Sequence, residues 1–178
     1  RGLGDVYKRQ QLQLRLPTER YYEEEGRAEL TPRDFGILMH RVFENAATTD
    51  EIYMAIEAMT QDGVLDEKEA PRLRELVEKA LADPVTAEWF GGRWQVVRNE
   101  NEIILPGSGT TRRPDRVMTD GERAVVVDYK FGDRETARHR KQIREYLRLL
   151  RQMGYTRTEG YLWYVRLGRT ERVEEKED

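Results

Sequence analysis

Residues 123–130, Arg-Ala-Val-Val-Val-Asp-Tyr-Lys, run from an apolar stretch straight into two opposite charges. Val125, Val126 and Val127 read as a buried strand. Asp128 and Lys130, however, cannot be buried without partners. Alternation along a strand sets Asp128 and Lys130 on one side and turns Tyr129 away. Just upstream, Asp120-Gly121 is a hairpin signal. Before it, Arg113-Pro114-Asp115 carries a second carboxylate, with 12 residues between Asp115 and Asp128. A hairpin of this kind brings two acids and an ammonium group to one end of a buried sheet.

Those residue types suit cleavage of a phosphodiester with the help of a metal. A hard divalent cation such as Mg²⁺, or Mn²⁺ in its place, takes oxygen ligands and is usually held by one or two carboxylates plus substrate phosphate. Asp115 and Asp128 would supply the carboxylates, and the backbone carbonyl of Tyr129 a further oxygen. Lys130 would orient the attacking water or neutralise charge on the phosphate, work suited to a compact point charge. The competing reading is a strand that ends in an ordinary Asp–Lys surface pair.

Thr31-Pro32-Arg33-Asp34 reads as a helix start: a capping residue, a proline at the first helical position and an acid closing the box. Along that helix Gly36, His40 and Glu44 share a face at four-residue spacing. Gly36 would let another backbone, or DNA, approach closely. By itself His40 reads first as a partly buried core histidine bonded to Glu44. Helical periodicity continues over Asp50–Thr60 and Asp66–Leu81, with a short helix over Pro84–Phe90. No catalytic residue stands out in this helical insert, which is expected to cover a channel or make a domain contact.

Strands are expected over Arg93–Arg98, Glu100–Leu105, Arg112–Met118, Arg123–Lys130 and Gly160–Leu167. Between the last two, Arg134–Met153 reads as a helix, with Ile143, Tyr146, Leu147, Leu150 and Met153 as its buried stripe. Arg140, Arg144, Arg148 and Arg151 line another face, which either tracks a phosphate backbone or is a solvated row paired with glutamates. Trp163 is read as core rather than as a base-stacking platform.

Composition excludes several classes. Charged residues make up 37% of the 178 residues and the formal net charge is −3, so nucleic-acid contact would rest on a local basic patch. There is no cysteine, which excludes disulfides and an iron–sulfur cluster. No apolar run reaches membrane-spanning length and no signal peptide is visible, so the expected location is cytoplasmic, without membrane partners. Residues 1–10, Arg-Gly-Leu-Gly-Asp-Val-Tyr-Lys-Arg-Gln, match an in-frame translation of a transposase-based sequencing adapter. They are set aside, residues 11–30 are read as a linker from a missing upstream region, and one domain is expected over 31–178.

Taken in order, Gly36-x-x-x-His40, Pro114-Asp115, Asp128-x-Lys130 and Gln142-x-x-x-Tyr146 resemble the PD-(D/E)xK nucleases, in particular the nuclease domain of the RecB and AddB type found in UvrD-like helicase-nucleases. The resemblance implies an α/β, restriction-endonuclease-like fold: a mixed central sheet flanked by helices, with a helical N-terminal portion. It gives His40 the place of a metal ligand and Asp115, Asp128 and Lys130 the catalytic places. It adds Gln142 and Tyr146, with Arg113, as substrate contacts and Glu100 as a possible further acid. For both Glu100 and Glu102 a solvated strand face is an equal alternative. The implied function is Mg²⁺-dependent hydrolysis of DNA, by an exonuclease module acting in end processing, repair and recombination. No Gly-x-x-x-x-Gly-Lys loop occurs, so a helicase motor would lie upstream or on a partner. Other readings are a catalytically silent domain that binds DNA or scaffolds subunits, and a free-standing restriction or repair nuclease.

Overall fold

The structure is a computed structural model and describes residues 30–99, 103–104, 111–132 and 137–175. Helix α1 (Pro32–Glu44) begins at the expected box: Asp34 N–H donates to the Thr31 hydroxyl, and Thr31 N–H donates to the Asp34 carboxylate at 2.7 Å. Helices α2 (Thr49–Gln61), α3 (Ala70–Ala80) and α4 (Pro84–Trp89) follow. Helix α3 starts four residues later than the periodicity predicts. Pro71 sits in its first turn, where a missing N–H costs nothing, so Asp66–Glu69 remain a turn.

Among the described residues, strands β1 (Val96–Asn99), β4 (Arg116–Asp120), β5 (Arg123–Lys130), β6 (Arg157–Tyr164) and β7 (Arg169–Arg172) form one sheet in the order β1-β4-β5-β6-β7. Only β5 and β6 pair in parallel, and helix α5 (Ala137–Gln152) makes the crossover between them. Strands β2 (Ile103–Ile104) and β3 (Thr111–Arg112) form a separate antiparallel ribbon. The result is a mixed α/β fold with helices on both faces, consistent with a restriction-endonuclease-like architecture.

Strand β5 sets the layers. Val125, Val127 and Tyr129 face α1–α4, in a cluster with Phe35, Val42, Phe43, Ile52, Ile56, Leu73 and Val77. Ala124 and Val126 face α5, packing with Ile143, Tyr146, Leu147 and Leu150. The inner faces of the expected helical insert are therefore part of the main core, to which α2 contributes Ile52 and Ile56 and α3 Leu73 and Val77. Trp163 is 1% exposed, and its ring centroid lies 4.9 Å from that of Phe43, which establishes its core role. Gly160 lets α5 sit close on the sheet, since a Cβ there would lie 2.4 Å from Ile143 Cγ2.

Four sequence expectations need correction. The strand expected over Arg112–Met118 is broken at 113–115, because Pro114 has no N–H for a ladder and restricts its predecessor. The strand expected over Gly160–Leu167 runs instead from Arg157 to Tyr164 and ends in a 3₁₀ turn, Val165–Leu167. Strand β7 is absent from the sequence expectations, because Arg-Thr-Glu-Arg carries no apolar alternation; charge suits an edge strand. Met153 lies beyond the end of α5 and is exposed rather than in the stripe.

Candidate active site

The two carboxylates meet through register. Antiparallel pairing of β4 and β5 sets Arg116 opposite Val127, so one further step sets Asp115 opposite Asp128. Asp115 is in the bend just before β4, not within a strand, with buried Pro114 on one side and buried Arg116 on the other. Its Oδ2 accepts the Tyr129 N–H at 2.5 Å. That bond fixes the carboxylate across the end of β5. Asp128, 3% exposed, and Lys130 share a strand face as alternation requires, and the Lys130 ammonium donates to Asp128 Oδ2.

His40 reaches the same place from α1. Its Nε2 lies 3.5 Å from Asp115 Oδ1, while its Nδ1 lies 3.7 Å from Glu44. Gly36 makes this possible, and its close neighbour within the chain is a side chain rather than a backbone. That neighbour is Phe131, at the exit of β5, whose Cβ would lie 3.2 Å from a Cβ at position 36. The helix thus packs tightly on the end of β5, and its next turn places the imidazole edge-on to both Tyr129 and Phe131.

The acids titrate apart. For Asp128, burial first and then the charge of Asp115 push the carboxyl up to about 6, against the pull of Lys130. For Asp115, burial raises it, but hydrogen bonds from His40, the Tyr129 N–H and Asp128 win and hold it below the usual carboxylate range. Below about pH 6 one proton is thus held between the facing carboxyls, on Asp128, with the charged form on Asp115.

This donor set suits a hard divalent cation, because a cation between the two acids would replace the shared proton. Among the described residues no group of three His, Cys, Asp or Glu side chains is placed to hold an ion by itself. The remaining ligands would have to be water, substrate oxygen or backbone, as is usual for Mg²⁺. His40 stands as a partner of Asp115, and Asp115, Asp128 and Lys130 lie together as the spacing predicts.

Other predicted residues are placed less directly. Gln142 donates its amide N–H to the Tyr146 hydroxyl at 3.0 Å, so the two bond each other, and Tyr146 is buried in the α5 layer. Arg113 is exposed, two residues before Asp115. Glu100 and Glu102 lie outside the described residues. Three arginines of the α5 row meet the acidic end of the chain, Arg140 with Glu171, Arg144 with the Glu174 carbonyl, and Arg151 with Glu175 at 2.8 Å, while Arg148 is exposed.

Two residues of this region are not singled out by sequence reasoning. Arg116 is fully buried and donates to the carbonyls of Ala46, Ala47 and Trp89 and to the Asn99 amide oxygen, with its guanidinium 4.0 Å from the Phe90 ring centroid. An arginine opening a strand directly after Pro-Asp is the available signal. His139 on α5 has its imidazole lowered by burial and by the charges of Lys130, Arg138 and Arg140. Only its position at the start of α5, which follows the Asp-x-Lys strand, draws attention to it.

With this geometry in place, the chain can be compared with known proteins. The family model described as the PD-(D/E)XK nuclease superfamily matches residues 7–178. No curated protein matches the chain.

Proposed function

The chain belongs to the PD-(D/E)XK nuclease superfamily, and from that premise we propose that it hydrolyses DNA phosphodiester bonds with a divalent metal, Mg²⁺ or Mn²⁺. The observation that carries this reading is the meeting of Asp115, Asp128, Lys130 and His40 at the end of β5.

Asp115 and Asp128 would hold the ion, with the Tyr129 carbonyl as a further oxygen. When bound, such an ion lowers the pKa of a coordinated water and stabilises charge on the phosphate. Lys130, tied to Asp128, can turn to the phosphate or the attacking water once Asp128 is engaged by a cation. His40 holds the Asp115 carboxylate ionised and oriented, and could itself join the ligand set. Gln142, bound to Tyr146 and half-buried on the α5 side, would position the strand being cut, together with exposed Arg113.

The order of motifs supports a finer reading: an exonuclease module of a helicase-nuclease that processes DNA ends in repair and recombination. The motor would lie elsewhere, because this chain carries no phosphate-binding loop.

The test is direct. Purified protein with Mg²⁺ or Mn²⁺ should degrade linear or single-stranded DNA, and a chelator should abolish it. Asp115→Ala, Asp128→Ala and Lys130→Ala should each remove cleavage while sparing DNA binding, which rests on distributed phosphate contacts. Cleavage at the unmutated level by any of the three would refute the site assignment.

A further inference from the structure

Beside the carboxylates, on the α1 side, lies a cleft of about 460 Å³ lined by Arg33, Gly36, Ile37, His40, Phe131, Gly132 and Arg166. We propose that this cleft is a subsite for one unpaired nucleotide next to the scissile phosphate, with its base against Phe131 and Ile37 and its phosphate between Arg33 and Arg166. The proposal rests on the nuclease reading and says which part of the substrate this face takes.

Four observations converge on it. The cleft adjoins the candidate site through a single side chain, since His40 lines it and also stands 3.5 Å from Asp115. Its walls are apolar where a base would lie: Ile37 is 36% exposed, on a helix whose other large apolar residues are buried, and Phe131 is half-buried beside it. Gly36 lets α1 close on Phe131, so that Phe131 and the exposed Ile37 line one cleft. Finally, the two charged residues at the rim are both arginines, brought from the first turn of α1 and from the 3₁₀ turn after β6. Planar guanidinium groups suit phosphate oxygens.

The size lies within the range of small-ligand sites. A base inside a duplex has both faces stacked, so only an unpaired or extruded base can lie on Phe131. The cleft therefore favours an unpaired strand at the cut.

Binding can be measured apart from cleavage, by fluorescence anisotropy in a chelator, using a labelled oligothymidine of about 12 nucleotides, close to the site size of a single-strand groove, and a hairpin duplex as probes. Phe131→Leu keeps the apolar volume and removes the ring face; it should weaken oligothymidine binding at least about fivefold. It should leave duplex binding unchanged. The pair Arg33→Ala with Arg166→Ala should lower the slope of log affinity against log salt by about 0.7 for each phosphate that is no longer neutralised. Thermal melting of each variant identifies any loss that comes from unfolding, and Phe131→Trp should retain binding if stacking is the cause. Unchanged oligothymidine affinity in folded Phe131→Leu overturns the subsite. So does equal weakening for both probes, which would mark a general phosphate-binding surface. Cleavage by the unmutated protein in Mg²⁺ judges the nuclease reading separately. Cleavage together with an unaffected Phe131 variant removes only the subsite. A binding defect without any cleavage removes only the nuclease.

Discussion

Arg116 is the residue on which the site's position most depends. A buried charge is tolerated when its donors are largely matched, and here four acceptors from three separate segments meet the two terminal nitrogens of one guanidinium. Arg116→Met removes the guanidinium donor from the Ala47 and Trp89 carbonyls in a closed core and leaves the Ala46 carbonyl with Asn99 alone. Its expected cost is about 3–5 kcal/mol by denaturant unfolding, together with loss of cleavage, since Asp115 is the preceding residue. A cost below about 1 kcal/mol would show that the neighbouring backbone supports itself.

The two acids predict the pH behaviour. Asp128 has its folded-state value raised from 3.8 to about 6. Its contribution to the stability of the metal-free protein is therefore full below 3.8 and lost as pH rises through about 6. Asp115 is lowered, so its contribution is present above its ordinary value and lost as pH falls. A cation needs both ionised and must expel the shared proton. Below about pH 6 the affinity for Mn²⁺ should fall by up to about tenfold per pH unit, with proton release visible by calorimetry in buffers of different ionisation heat. Metal binding without proton release at about pH 5.5, just under that value, would contradict the shared-proton arrangement.

At the scale of elements, β5 and α1 are legible in the sequence because their signals are local. Valines ending in charge, an Asp-Gly turn and a Thr-Pro-x-Asp cap each act within a few residues. The meeting of Asp115 with Asp128 is legible too, since hairpin register follows from the turn. The break at Pro114 is present in the sequence, but the alternation on either side of it invites one long strand. The anchoring of Arg116, the approach of Phe131 to Gly36 and the pairing of β7 depend on segments far apart in the chain, which no local pattern encodes. Helix α5 offers a test of such packing. Gly160→Ala would drive a methyl into Ile143, whose branched side chain has little rotamer freedom, and should cost about 1–3 kcal/mol. In the double variant with Ile143→Ala the combined loss should be smaller than the sum of the two, because the clash has been removed. Strict additivity would mean that α5 moves away as a body.

For the whole molecule, the charges are arranged so that the basic face of α5 is quenched from within. Arg140 and Arg151 are taken by Glu171 and Glu175. Partly exposed pairs of this kind add little stability, about 0–1 kcal/mol each. Glu171→Gln with Glu175→Gln should therefore leave the melting temperature nearly unchanged while raising DNA affinity at low salt, as measured by anisotropy. No change in affinity would mean that α5 faces away from the bound strand.

The sheet separates two cores, and the candidate site lies at the seam between them. Lys130 and Asp128 belong to the α5 side, His40 to the α1 side, and Asp115 precedes Arg116, whose guanidinium is anchored in a socket made by the turn after α1 and the end of α4. A molecule whose helical layer has come loose loses the histidine and the socket in the same event. On the proposed nuclease reading, partial opening would disarm the chain outright instead of leaving a sloppy cutter, a fail-safe supplied by the architecture alone.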